Sequence, residues 1–132
     1  LPYAIAGASA RSTRMGVGTN LVVNVDVEIR RPQPRWGMGI SIENTLGMRL
    51  YGMTTFPLPI ELPNTVGLHQ IQVSFPDVRL GTGKYLLNIG LGDDAGTTFD
   101  RRSGAATFDV LDHGIGDGIL SLTPTVTFDK ER

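Results

Sequence analysis

Hydrophobic and polar residues alternate with a period of two along much of this chain, and this alternation constrains its fold more than any other feature. From Leu21 to Ile29 every odd position is Leu, Val or Ile, whereas the even positions from Asn24 onward are Asn, Asp and Glu. Because successive side chains of a β-strand point to opposite faces of a sheet, the pattern predicts a strand with one buried and one solvated face. Pro32 and Pro34 then end the strand, since proline has no amide hydrogen to donate to a ladder.

Further strand candidates follow at regular spacing, separated by turns rich in Gly, Pro and Asn. They cover residues 36–43, 48–55, 69–75, 85–91, 106–110 and 119–128. Residues 1–19 form either a first strand or a linker, with Tyr3 to Ala8 as a candidate edge strand. No segment has the period of a helix. Seven to eight strands of this kind predict an all-β, antiparallel β-sandwich.

Composition sets limits on both fold and function. The 132 residues fit a single domain, with 40% hydrophobic and 19% charged residues. The net charge of −1 disfavours nucleic acid as a partner, because binding to phosphates depends on an excess of Lys and Arg. The chain has no cysteine and no apolar run long enough to insert into a membrane. Since residue 1 is not Met, we interpret the chain as a domain of a longer or processed protein.

Signals for a metal or a cofactor are weak. Asp93, Asp94 and Asp100 offer oxygen ligands to calcium, but the loop lacks the spacing of an EF-hand, which favours a solvated turn. His69 alternates with the polar positions of a strand, which favours a structural role, and His113 lies in a Gly-rich stretch that is a poor support for a preorganised site. We therefore expect neither a metal nor a cofactor.

Outward-facing polar side chains favour non-catalytic binding over catalysis. Alternation places carboxylates on outer faces but does not fix the distance between any two of them, so it gives no support for a glycosidase. Sugar hydroxyls both donate and accept hydrogen bonds, which suits amide, hydroxyl and charged side chains. On one inferred sheet the candidate carbohydrate-binding residues are Ser41, Arg49, Tyr51, Asn88, Thr107 and Asp109.

Within this set, we expect Arg49 and Asp109 to form charge-assisted hydrogen bonds and Tyr51 to stack on a sugar ring. Asn24, Gln70 and Gln72 on the opposite sheet are the reserve candidates. Any solvated antiparallel face has a similar composition, so a protein–protein assembly or dimerisation domain without a glycan ligand remains the alternative. Gly37 and Gly39 leave one face of their strand nearly bare, which would suit a protein partner.

Four stretches occur together in an order that resembles a known family. Residues 36–42 are Trp-Gly-Met-Gly-Ile-Ser-Ile, and 50–55 are Leu-Tyr-Gly-Met-Thr-Thr. Residues 80–91 follow the pattern L-x-x-G-x-Y-x-L-x-x-G-L, and 99–110 contain Phe-Asp followed by A-x-F-x-V. Over residues 20–112 the chain resembles the C-terminal domain of the ATP-binding subunits of ABC transporters that export O-antigen polysaccharides, the Wzt C-terminal domain.

This resemblance implies a cytoplasmic carbohydrate-binding domain with an immunoglobulin-like or jelly-roll sandwich. Such a domain recognises the non-reducing terminal end of lipid-linked O-antigen polysaccharide and couples it to export, without catalysis. Its partners would be the glycan and the nucleotide-binding domain of the same transporter subunit, through which it associates with the inner membrane. The family also dimerises by exchanging a C-terminal strand. By resemblance, 119–128 would be the exchanged strand of a homodimer and 112–118 its hinge.

Overall fold

Two antiparallel sheets make up the fold in the computed structural model, which describes residues 1–15, 18–112 and 114–129. The strands are β1 (Tyr3–Met15), β2 (Gly18–Ile29), β3 (Gly37–Asn44), β4 (Arg49–Thr54), β5 (Gly67–Val78), β6 (Gly83–Gly92) and β7 (Thr98–Val110). Sheet A has the order β1-β2-β5 and sheet B the order β4-β3-β6-β7. Among the described residues there is no helix, and so none long and apolar enough to cross a membrane. The predicted all-β antiparallel sandwich is confirmed.

The hydrophobic core lies between the sheets and comes from the apolar positions of the alternating segments. In β2, for example, Val23, Val25 and Val27 are completely buried. In the facing sheet B, Ile40 is 1% exposed and Leu87 is fully buried. Each fully buried aliphatic side chain stabilises the fold by about 1.5–3 kcal/mol. A slip of one residue would turn all of these side chains to solvent, so the alternation fixes the register.

An aromatic stack closes the core at one end. Tyr3 stacks on Trp36 and on Phe99, with ring centroids 4.9 Å and 5.0 Å apart. Its hydroxyl donates to Asn64 Oδ1 at 2.7 Å and accepts from the Gln33 N–H at 2.8 Å. The first strand is therefore tied to the Pro-rich crossing between β4 and β5. β1 continues well beyond the candidate edge strand of Tyr3 to Ala8.

Strands β1 and β7 lie side by side at one edge of the sandwich and are joined mainly by side-chain hydrogen bonds. The Ile5 N–H donates to the Asp100 carboxylate at 2.8 Å, and Arg102 donates to the Ile5 carbonyl at 2.8 Å. Farther along, Ser12 Oγ donates to the Asp109 carbonyl at 2.7 Å. Asp100 is thus a structural residue, and Asp109 contributes its backbone oxygen to this edge.

Two strands extend beyond their predicted ends. β5 continues past Pro76, which lies in an irregularity of the β2–β5 ladder, between the pairs Leu21–Phe75 and Thr19–Val78, where proline is tolerated. β7 begins at Thr98, well before the strand candidate at 106–110. The ladder to β6 has an irregularity here that leaves residues 103–105 opposite Asn88 alone, and this bulge breaks the alternation in the sequence.

The predicted strand at 119–128 forms only an isolated bridge, between Leu80 and Leu120. The Gly81 N–H donates to the Ile119 carbonyl at 2.6 Å, and the Ser121 N–H donates to the Arg79 carbonyl at 3.1 Å. Residues 122–129 have no regular secondary structure. Within the predicted hinge at 112–118, residue 113 lies outside the described part of the chain.

Candidate functional site

The outer face of sheet B carries an open groove of about 740 Å³ that crosses all four strands. Its lining consists of Gly39, Ile40, Ser41, Glu43, Arg49, Gly52, Met53, Thr54, Asn88, Ile89, Gly90, Arg101 and Ser103. We call this feature the sheet B groove. It places residues from β3, β4, β6 and β7 around one shared space.

The groove exists because small residues meet across neighbouring strands. Gly39 of β3 lies directly opposite Gly90 of β6, and the same row ends in Thr54 on β4 and Arg101 on β7. In the next row Ser41 lies between Gly52 and Asn88. Directly opposed residues on antiparallel strands share a face. The floor is therefore bare at its centre and bordered by longer polar side chains.

The floor glycines occupy open space. A Cβ added at Gly39 would have its nearest neighbour at 3.6 Å, and one added at Gly90 at 4.0 Å. Neither residue has a left-handed φ, so the backbone does not require glycine at these positions. Gly37 differs, because the Phe56 ring fills the position of its missing side chain at 2.5 Å. Of the two glycines that the alternation leaves bare, only Gly39 opens into the groove.

Asn88 organises the polar side of the groove. Its Nδ2 donates to Glu43 Oε1 at 2.8 Å and to Ser41 Oγ at 3.2 Å. Its Oδ1 accepts from the Gly104 N–H at 2.8 Å, which links it to the bulge in β7. Both amide hydrogens of Asn88 are thus used within the protein. Ser41 accepts this bond with its hydroxyl oxygen, and the residue is only 6% exposed.

Charged residues lie on both sides of the floor. The guanidinium of Arg49 lies over Gly52, with Nη1 3.3 Å from the position that a Cβ would take there. Arg101 borders the groove from β7, opposite Gly90. Glu43 is the cross-strand partner of Arg49, but its carboxylate binds Asn88. The groove therefore offers cationic donors from two edge strands and one carboxylate acceptor.

Three of the six candidate residues from the sequence line this groove, namely Ser41, Arg49 and Asn88. Thr107 shares the outer face of sheet B but lies beside Leu86, outside the groove lining. Asp109 lies farther along the same face, beside Lys84. The structure thus groups half of the predicted set and leaves two members at a distance.

Tyr51 does not share the outer face with the other candidates. It lies opposite Ile42, a core residue, and its ring packs edge-on against Phe75 of sheet A at a centroid distance of 5.8 Å. The β3–β4 ladder shifts register between Ile42 and Glu43. Ile42 pairs with Tyr51 and Glu43 pairs with Arg49, so Leu50 is an extra residue on β4. This bulge places Arg49 and Tyr51 on opposite faces although they are two residues apart. Strict alternation therefore gave the wrong face for Tyr51.

Other groove residues were missing from the sequence prediction. Glu43 and Gly39 lie on the same face of β3 as Ser41, so the spacing Gly39-x-Ser41-x-Glu43 held the signal for this strand. Arg101 and Ser103 lie between the strand candidates 85–91 and 106–110 and so were not assigned to a strand face. No periodicity marks their face, since the bulge in β7 interrupts it.

The remaining candidates for chemistry that the structure describes make contacts within the protein. Asp93 Oδ1 accepts from the N–H groups of Ala95 and Thr97 and so caps its own turn. Within the described ranges, no group of three His, Asp or Glu residues could hold a metal ion. Nε2 of His69 lies 2.7 Å from the Thr65 carbonyl oxygen. His113 lies outside the described residues.

The fold and the groove define an antiparallel β-sandwich with an open, polar depression on the face of one sheet. Comparison with known proteins identifies the sandwich more closely. The model of the Wzt C-terminal domain family matches residues 4–122, so the chain belongs to this family. The resemblance seen in four sequence stretches is thereby confirmed.

Solved structures agree with this fold. The crystal structure of the C-terminal domain of Wzt matches with a TM-score of 0.80 and 19% identity, covering 97% of this chain and 84% of that one. The structure of a β-glucuronidase from Parabacteroides merdae matches with a TM-score of 0.51 and 10% identity. That match covers 80% of this chain but 13% of the glucuronidase, and it reflects the fold alone. The comparison with curated proteins gives no match.

Proposed function

We propose that this domain binds the non-reducing terminal end of lipid-linked O-antigen polysaccharide in the sheet B groove and couples that glycan to export by an ABC transporter. The observation that carries the proposal is the groove itself, a depression with a glycine floor and polar borders in a member of the Wzt C-terminal domain family. In this role the domain is a non-catalytic binding module. It acts on the cytoplasmic side of the inner membrane, next to the nucleotide-binding domain of its own subunit.

The groove matches the chemistry of a sugar ring. The bare floor at Gly39 and Gly90 lets a ring approach the backbone closely, because no side chain stands between them. At the border, the Ser41 hydroxyl can donate and the free oxygen of Glu43 can accept. Sugar hydroxyls need donors and acceptors together. Asn88 contributes indirectly, because its bonds hold Ser41 and Glu43 in place.

Titration calorimetry with purified bacterial O-polysaccharides, with and without their terminal modifications, tests this function. We expect saturable binding that depends on the terminal residue. The matched variants are Gly39→Val, which fills the floor, and Gly116→Val, which adds the same side chain where an added Cβ has no neighbour within 4 Å. Only the first should lose binding. A folded chain that binds none of the polysaccharides would contradict the proposal.

The C-terminal segment supports a second function, dimerisation. Leu122, Val126 and Phe128 are 69%, 82% and 79% exposed, an unusual amount of apolar surface for one short segment. Together with Pro124 they occupy the even positions of this segment, and its odd positions are Thr123, Thr125 and Thr127. We propose that this segment pairs with a second copy of the chain. The strand exchange implied by the family resemblance is the form that we expect.

A structured corner precedes that segment. The Asp112 carboxylate accepts from the Gly114 N–H at 3.0 Å and lies 3.6 Å from the Arg14 guanidinium. The Gly114 bond, together with a bond to Ser121 and the charge of Arg14, lowers the pKa of Asp112 below its usual value. Gly118 has a φ of 105°, a conformation that glycine adopts readily. Specific contacts therefore connect Asp112 to Arg14 of β1 and to Ser121.

Light scattering on the full chain and on a variant that ends at residue 118 tests dimerisation. We expect a dimer for the full chain and a monomer for the shortened one. Gly81→Ala is the point variant that disturbs the packing of the C-terminal segment, because a Cβ at residue 81 would clash with the Gly118 carbonyl oxygen. Gly116→Ala is its control. A monomeric full chain would contradict the proposed dimer and leave glycan binding untouched.

A further inference from the structure

Arg49 and Arg101 of the sheet B groove lack the bonding partners that most other arginines of the described residues have. Arg14, Arg30, Arg35 and Arg79 form ion pairs with carboxylates, and Arg102 donates to a backbone carbonyl. Arg49 and Arg101 have neither kind of bond to any residue that the structure describes. Both nevertheless line the same groove.

The single carboxylate of the groove does not neutralise the charges of Arg49 and Arg101 through an ion pair. Glu43 lies opposite Arg49 across the β3–β4 ladder, yet it accepts its hydrogen bond from Asn88. The Arg49 guanidinium is directed instead over Gly52, onto the groove floor. With two cations and one anion, the groove lining has a formal charge of +1. Its positive groups lie at the solvent side, where a ligand would cover them.

The position of the two arginines suits a ligand that lies across the floor. Arg49 belongs to β4 and Arg101 to β7, the two edge strands of sheet B. Arg101 lies in the row of Gly39 and Arg49 in the row of Glu43, so their backbones are offset by three strand spacings across the sheet, roughly 14 Å, and by four residues along it, roughly 13 Å. The floor of Gly39, Gly52 and Gly90 lies between them. Side chains of this length can reach from both edges toward a group bound at the centre.

We propose that the groove selects glycans whose bound residue carries an acidic group, a carboxylate or a phosphate ester, which Arg49 and Arg101 hold. A neutral glycan would remove water from two uncompensated guanidinium groups and return only neutral hydrogen bonds. An acidic group replaces that water with charge-assisted bonds, and the planar guanidinium matches the geometry of both acids. This inference names the ligand class and depends on the proposed function.

Removing the acid from the glycan tests the inference directly. Acidic bacterial O-polysaccharides are titrated before and after chemical reduction of their carboxyl groups, and phosphate-containing ones before and after dephosphorylation with hydrofluoric acid. We expect affinity to fall roughly tenfold or more on removal of the acid that is recognised. The pair of treatments distinguishes a carboxylate from a phosphate. Binding of the acidic forms should also weaken with added salt.

Variants of the protein complete the test. Arg49→Gln and Arg101→Gln should each weaken binding of the acidic form by roughly tenfold and change binding of the acid-free form much less. Arg11→Gln is the matched control, because Arg11 is exposed, has no ion pair among the described residues, and lies on the outer face of sheet A. It should change nothing.

Three outcomes separate the two proposals. Acid-dependent binding that is lost in Arg49→Gln and Arg101→Gln supports the inference. Equal affinity for the treated and untreated glycans overturns it, while the proposed glycan-binding function stands. Absence of binding to every polysaccharide overturns the proposed function and this inference together.

Discussion

The outer faces of the two sheets have similar polarity but different shapes. On sheet A, the central strand β2 presents Asn24, Asp26 and Glu28, and Gln72 of β5 donates to Asn24 across the ladder at 3.2 Å. On sheet B, the central strand β3 presents Gly39 and Ser41 at the equivalent outward positions. Side-chain volume, and not polarity, therefore distinguishes a candidate site from an ordinary solvated face. The variants below test this difference.

Filling the floor should have the largest effect. Gly90→Val adds a branched side chain where an added Cβ would have its nearest neighbour at 4.0 Å, so the strand should accept it. We expect glycan binding to fall below detection in calorimetry, with a thermal midpoint close to that of the parent chain. Ser74→Val, on the outer face of β5, is the control on sheet A. If Gly90→Val binds as tightly as Ser74→Val, the groove is not the site.

Removing the organising amide should have an intermediate effect. Asn88→Ala deletes the bonds to Ser41, Glu43 and the Gly104 N–H, so both ligand-facing groups lose their support. We expect affinity to fall by roughly threefold to tenfold and the free energy of unfolding by about 1–2 kcal/mol. Calorimetry and urea denaturation measure the two effects.

The matched variant for Asn88→Ala is Gln72→Ala, which removes a single amide–amide bond on sheet A. Its free energy of unfolding should stay within about 0.5 kcal/mol of the parent, with unchanged affinity. A larger loss of affinity in Gln72→Ala than in Asn88→Ala would move the site to the other sheet.

Tyr51→Ala should affect stability more than binding. The ring packs against Phe75 between the sheets and is 46% exposed at that edge. We expect a cost of about 1 kcal/mol in unfolding free energy and no change in glycan affinity. Loss of affinity in a stable Tyr51→Ala variant would restore its expected role as a stacking platform.

The smallest effect is expected at Thr107. It lies on the outer face of sheet B but is separated from the groove by Leu86. Thr107→Val keeps the shape of the side chain and removes its hydroxyl, so affinity should be unchanged in calorimetry. A marked loss would show that the ligand extends beyond Leu86 toward Asp109.

Alternation predicted the fold well because it is a direct consequence of burial on one face of a strand. It located β2, β3 and β6 and correctly placed Ser41 and Asn88 on one outer face. It failed where a ladder contains an extra residue. The bulge at Leu50 reversed the face of Tyr51, because a bulge depends on pairing with another strand and leaves no mark in local periodicity.

The sequence also does not show which side chains from different strands lie close together. Arg101 lay in an apparent loop, and only its pairing with Gly90 brings it to the groove. The open space above Gly39 likewise depends on Gly90 and Gly52 of neighbouring strands. Strand order and register determine both features. A single sequence gives the faces of strands but not which strands adjoin.

The most direct test of the glycan site is a map of backbone amide chemical shifts during titration with a bacterial O-polysaccharide fragment that binds. The groove account predicts that the largest shifts fall on Gly39, Ser41 and Gly90. Shifts centred on Asn24 and Gln70 of sheet A, with the groove amides unchanged, would contradict it.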